Sequence, residues 1–217
     1  MTVTELGLPG VKLVVPTYFE DFRGYYTESY SKRTFEQLGI QTEFVQDNHF
    51  LSLKRGTIRG IHFQNEPFAQ SKLVRCTRGS MLDIAVDLRK NSPTYKKWVS
   101  VILSAENRRQ LFIPKGFGHC CVSLVDMVEG QYKVDVLYMP EYDRAIAWND
   151  PDIAIDFGMD GMDSFIVSPK EPLIKGQRVK QTGRNDNRYQ VLGHIGAVSL
   201  LCAPISGQKG AKISGGG

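Results

Sequence analysis

The spacing of apolar runs predicts an all-β sandwich or barrel with one or two short helices. Runs rich in β-branched and aromatic residues recur at intervals of roughly 8 to 14 residues, with Gly, Pro, Asn and Asp between them. Within MLDIAVDLR, Leu82, Ile84, Val86 and Leu88 fall on one face and Asp83, Ala85, Asp87 and Arg89 on the other. A closed barrel can turn such a polar face into its lumen. The 217 residues are 41% hydrophobic, which suits a single domain with a sizeable core.

Taken in order, VKLVVP (11–16) is the first strand, entered through the Pro9–Gly10 turn. EDFRG (20–24) is a turn leading into YYTES (25–29). SKRTFEQLG (31–39) predicts a helix, with Ser31 as N-cap and Gly39 as its stop. Further strands are expected over 42–53, 72–77, 80–88, 96–104, 109–114, 119–125, 131–138 and 145–149. After about residue 158 the pattern loses its regularity. The segment 181–217 reads as a C-terminal extension to a domain of residues 1–180. Its apolar run 191–205 suits a strand or an oligomer contact, and its Gly-rich last ten or so residues are expected to be disordered.

Several function classes are disfavoured at once. A net charge of +4 is too mild to argue for nucleic acid. Cys76, Cys120, Cys121 and Cys202 form no CxxC pair, so neither a disulfide framework nor a zinc ribbon is indicated; free thiols in a reducing cytoplasm are expected. MTVTELGLPG does not read as a signal peptide, and no run approaches 18 apolar residues, so no membrane span is expected.

Chemistry concentrates around RGIHFQNEPFAQSKLVR (59–75). His62 is either a core histidine satisfied by a hydrogen bond or a base. Gln64 stands where a metal-binding barrel of HxH type would place its second histidine, and glutamine is a weak ligand for metals that favour imidazole. Arg59, Lys72 and Arg75 gather positive charge nearby, suited to an anion and to developing negative charge. A histidine oriented by a carboxylate can act as general base. Asp21 and Arg23 flank a tight turn, and the forked guanidinium suits diphosphate oxygens. Tyr25, Tyr26 and Glu28 follow, with rings able to stack on a base. Gln46 and Asn48 can face a polar lumen, and Tyr132 is a candidate proton donor. A surface turn, core packing and a solvated strand face are the plainer alternatives for these residues.

FEDFRGYYTES, FVQDNHF, GTIRGIHFQ, QSKLVR, VDLRKNSPTYKKW, LFIPKGFGH and QYKVDVLYMPEYDRAIAWNDPDIAIDF occur in this order over about residues 19 to 157. Together they resemble the dTDP-4-dehydrorhamnose 3,5-epimerase family. The resemblance implies a cupin-like double-stranded β-helix (a jelly-roll barrel) with a few short peripheral helices, and a cytoplasmic homodimer with strand exchange. It implies no metal or redox cofactor, and a substrate that is a nucleotide-linked 4-keto-6-deoxy sugar. It further implies that His62 is the base, Tyr132 the acid on the opposite face and Lys72 the enolate partner. Arg23, Glu28, Gln46, Asn48 and Arg59 match positions that hold the nucleotide diphosphate or base. Tyr138 matches a pocket tyrosine and His119 a pocket-wall histidine. The aspartate that pairs with the histidine in the family corresponds to Glu171. Phe50, Leu51, Cys120, Cys121 and Phe157 also depart from the family pattern. These departures keep open a single-carbon epimerase acting on a CDP- or GDP-linked sugar, and a non-catalytic sugar-nucleotide-binding cupin.

Overall fold

The computed structural model describes residues 1–159 and 165–168, and the backbone of 188–190. Glu171 and the apolar run 191–205 lie outside the described residues. The strands are β1 (Thr2–Glu5), β2 (Lys12–Val15), β3 (Phe19–Asp21), β4 (Gly24–Tyr26), β5 (Gln46–Ser52), β6 (Ile58–Gln64) and β7 (Lys72–Arg78). They continue as β8 (Ser80–Asp87), β9 (Trp98–Ser104), β10 (Gln110–Ile113), β11 (Phe117–Ser123), β12 (Val128–Val134), β13 (Asp143–Ala145) and β14 (Arg188–Gln190). One sheet has the order β1-β2-β10-β7-β12-β5, the other β13-β6-β11-β8-β9-β14, and β3-β4 is a separate hairpin. Pairing is antiparallel throughout, except for β14 with β9. This is the cupin-like jelly roll that the resemblance implied.

The single helix among the described residues, α1 (Lys32–Gln37), starts and stops where its sequence signals stand. The Ser31 side chain accepts a hydrogen bond from the Thr34 N–H, and Gly39 takes the left-handed φ of 78° that ends the element. α1 buries Phe35 with Val14, Leu73 and Phe112 on the outer face of the first sheet.

Alternation along each strand divides apolar from polar surface. Leu82, Ile84, Val86 and Leu88 join Ile58, Ile61, Trp98 and Val122 in an outer cluster of the second sheet, covered by Trp148, Phe157 and Phe165. Asp83, Ala85 and Asp87 point the other way, between the sheets. The lower part of that space is closed by Val74, Met81, Val99, Leu103, Leu111 and Ile113. Burying each such side chain contributes about 1.5–3 kcal/mol. Asp87 serves the frame: it accepts from Arg89, Ser92 and Thr94 and so ties down the loop after β8. Burial alone would raise its carboxyl, but these hydrogen bonds hold it at about 2.

Two strand expectations need correction. β12 ends at Val134 rather than running to 138, because the next residues bond to side chains. Asp135 accepts from the Ser71 N–H, and the Val136 and Leu137 carbonyls accept from Gln70 and Gln64. The run 145–149 is no strand beyond Ala145: Ile146 still exchanges backbone hydrogen bonds with Ile61 of β6, but Trp148 turns onto the outer cluster. β1, with little apolar alternation in TVTE, had no expectation.

A bulge in β6 positions the functional strand. Against β11, His119 pairs with His62 but Cys121 pairs with Arg59, so β6 carries one extra residue between them. Residues three apart on a regular strand face opposite ways; the extra residue restores Arg59 and His62 to one face. Gly60 makes this possible, with φ at 111° and the His119 carbonyl 2.3 Å from where a Cβ would sit. Gly60→Ala is therefore expected to cost about 3 kcal/mol or more in urea unfolding. Gly158→Ala, at φ 60° with open space around it, is expected to cost only about 1 kcal/mol. Equal losses would show that the close approach to β11 does not matter.

Candidate active site

The space between the sheets is lined by polar side chains from both. The first sheet supplies Gln46 and Asn48 from β5, Lys72 from β7 and Tyr132 from β12. Register places Tyr132 beside Asn48 and Val74, and Val134 beside Lys72 and Gln46. The second sheet supplies Arg59 and His62 from β6, Asp83 from β8 and His119 from β11, in register with one another across β11. Of the residues singled out in the sequence, His62, Lys72, Tyr132, Gln46, Asn48, Arg59 and His119 thus share one lumen. Tyr138 lies at its rim, exposed, and donates to Asp143 Oδ2 at 3.1 Å.

Arg23 and Glu28 are not brought to this lumen within one chain. Arg23 is on the β3–β4 hairpin, its exposed guanidinium gripped by Asp21. Glu28 accepts from the Thr34 hydroxyl beside α1, on the outer side of the first sheet. The hairpin presents Phe19, Phe22, Tyr25 and Tyr26 to the exterior, with Phe22 98% exposed.

Lys72 is the most costly group in the lumen. Only 8% of it is exposed, and burial lowers its pKa from 10.5 to about 8 against the opposing pull of Asp143 and Asp83. At neutral pH it therefore remains mostly an ammonium. Tyr132 is shifted upward, first by burial and further by Cys121 and Asp143, with Arg59 opposing. It keeps its phenolic proton at pH 7. A desolvated cation, an imidazole and a protonated phenol around one cavity can stabilise an oxyanion, take a proton and give one.

Asp83 is a lumen residue that the sequence did not single out for the site. It is fully buried, and its Oδ1 lies 2.7 Å from His119 Nε2. A carboxylate oxygen accepts, so that nitrogen carries a proton. Oδ2 makes no hydrogen bond among the described residues. Its position on the polar face of MLDIAVDLR was the available signal. Asp143, the other counter-charge of Lys72, had no such signal, because its strand is three residues long.

Gln64 has a structural task. Its side chain is buried, with Nε2 donating to the Phe68 carbonyl at 2.7 Å and Oε1 accepting from the Met139 N–H at 2.7 Å. Among the described residues, no three His, Cys, Asp or Glu side chains cluster as a metal-ligating set.

A family model described as dTDP-4-dehydrorhamnose 3,5-epimerase matches residues 5–176. A dTDP-4-dehydrorhamnose 3,5-epimerase from Escherichia coli K12 is 47% identical over 172 residues, 79% of this chain and 91% of the relative. The Bacillus anthracis enzyme of that name, solved with TDP and PPi bound, gives a TM-score of 0.75 at 45% identity, covering 80% of this chain and 99% of that one. The dTDP-6-deoxy-D-glucose-3,5-epimerase of Legionella pneumophila, solved in complex with dTDP-4-keto-L-rhamnose, gives 0.73 at 40% identity, covering 78% and 89%.

Holding Lys72 charged in the lumen has a measurable cost. Between pH 8 and 10.5 the unfolded chain binds a proton at this residue that the folded chain does not, so its contribution to stability rises with pH there. Below pH 8 the full penalty, about 3 kcal/mol, opposes folding. Lys72→Met is expected to raise the thermal midpoint at pH 7 and to bring the two proteins together above pH 10.5. A lower midpoint at pH 7 would contradict the assignment of burial as the dominant effect.

Proposed function

The chain belongs to the dTDP-4-dehydrorhamnose 3,5-epimerase family, and on that premise we propose how its residues perform the reaction. It is an epimerase of a dTDP-linked 4-keto-6-deoxy sugar. The 4-keto group acidifies the hydrogens on C3 and C5. His62 removes such a proton from one face, breaking the C–H bond and leaving an enolate. The Lys72 ammonium stabilises the enolate oxygen. Tyr132 gives its hydroxyl proton to the opposite face of the same carbon, and exchange with solvent resets both groups. Glu171 orients His62, while Asp83 holds His119 in the pocket wall. Gln46, Asn48, Arg59 and Tyr138 bind the nucleotide part. The observation that carries these assignments is the meeting of imidazole, desolvated ammonium and high-pKa phenol in one lumen.

The active unit is a homodimer in which the β3–β4 hairpin of each copy serves the lumen of the other. This reading is supported by the exposed aromatic rings of that hairpin and by the separation of Arg23 and Glu28 from the other binding residues within one chain. The epimerase domain is residues 1–180, consistent with a family match ending at 176, and 181–217 is an extension. Buried Cys76 and Cys121, free as thiols, accord with the cytoplasm. Among the described residues no helix is long and apolar enough to cross a membrane.

His62→Ala is expected to abolish solvent deuterium incorporation at both C3 and C5 while dTDP affinity stays within about threefold. Tyr132→Phe is expected to keep exchange but to form less inverted product. Persistent exchange in the first variant, or full product in the second, would overturn the respective role. Sharing of the site has its own test. Chains carrying His62→Ala and chains carrying Arg23→Ala, co-expressed equally, are expected to regain about a quarter of native turnover, because half of the dimers then hold one unaltered site of two. No recovery in demonstrably mixed dimers would remove the hairpin from the partner's lumen.

A further inference from the structure

Phe50 and Gly130 are directly opposed in the β5–β12 register. The Phe50 ring occupies the space that a side chain at 130 would need: a Cβ there would sit 2.3 Å from Cζ and 2.5 Å from Cε1. Gly130 has no left-handed φ, so its requirement is room rather than conformation. Lying in this notch, the ring packs on the core that includes Val74, Cys76 and Leu111 and offers one face upward. The Arg59 guanidinium carbon lies 5.0 Å from the ring centroid. Arg59 is also fixed at its edge, with Nε donating to Ser52 Oγ at 3.0 Å and one terminal nitrogen donating to the Leu51 carbonyl at 2.9 Å. A guanidinium has five N–H donors. Among the described residues two are spent on β5, which leaves the others to a ligand.

We propose that Phe50 is a positioning residue: its ring is the platform that holds the Arg59 guanidinium ready for the diphosphate of the substrate, and Gly130 is the notch that lets the platform lie flat. A long side chain held before the ligand arrives loses less freedom on binding, and the face of an aromatic ring attracts the cation it supports. The effect belongs to binding of the nucleotide end, not to proton transfer at the sugar. The proposal rests on Arg59 being a diphosphate contact.

Calorimetric titration with dTDP, alongside steady-state kinetics, tests it. Phe50→Ala is expected to weaken dTDP binding about tenfold, with KM rising in step and kcat within about threefold. Phe50→Leu, which keeps apolar bulk but has no ring face, is expected to weaken binding about fivefold, and Phe50→Tyr to restore native affinity. Gly130→Ala is expected to weaken binding in the native chain, yet to add less than about twofold to Phe50→Ala, where the ring it would strike is gone. In an Arg59→Ala chain, Phe50→Ala is expected to have no further effect on dTDP. Native affinity in the Phe50→Leu variant, or an undiminished Phe50→Ala effect without Arg59, would reduce Phe50 to core filling and overturn the proposal. If Arg59→Ala alone left dTDP binding unchanged, the diphosphate role of Arg59 itself would fall, a result separable from the other two.

Discussion

The architecture of the lumen depends on a hydrogen atom at the α-carbon of Gly60. A strand that stays regular cannot offer both Arg59 and His62 to the same cavity. The bulge in β6 does so, and it exists because the Gly60 backbone can press against the β11 backbone at His119. One local contact therefore couples the placing of the Arg59 guanidinium to that of the His62 imidazole. It also brings His62 alongside His119, and through His119 alongside Asp83. The two sheets could close into a barrel without this contact, but not with these side chains turned inward together.

Around that frame, function and stability pull apart at Lys72. An ammonium withdrawn from water is expensive, and Asp83 and Asp143 offset only part of its desolvation. In the proposed mechanism its charge serves the enolate for the same reason that it is costly to the fold: little water remains to screen it. Tyr132 is affected in the same sense, its neutral form favoured by burial. One cavity thus holds an ammonium that stays charged against its surroundings beside a phenol that stays neutral because of them, the pair that the proposed passage through an oxyanion calls for.

The fold was legible because it is written in period-two alternation and turn residues. β7 to β11 fall close to their expected positions, and Ser31 and Gly39 bound α1 as their chemistry suggests. What failed was where side chains replace strand partners. The residues after Val134 look β-like in sequence but are held by Ser71, Gln70 and Gln64 from elsewhere in the chain. Residue types alone singled out His62, Lys72 and Tyr132, and the two sheets place these three in one lumen. That Arg59 shares their cavity is not visible from spacing, since three residues along a strand ordinarily reverse the face. Asp83 was hidden for a different reason: its partner, His119, lies 36 residues away and becomes adjacent only in the β8–β11 register.

Gln64 constrains what this barrel can become. Its amide joins the end of β6 to the loop at Phe68 and to the segment at Leu137 and Met139, so three separate stretches of chain meet at one side chain. Replacing it by histidine, the substitution that a drift toward metal chemistry would need, would leave buried backbone groups without partners before any ion could compensate. The route from this barrel to a metal-dependent one therefore begins with a loss of stability at the end of β6.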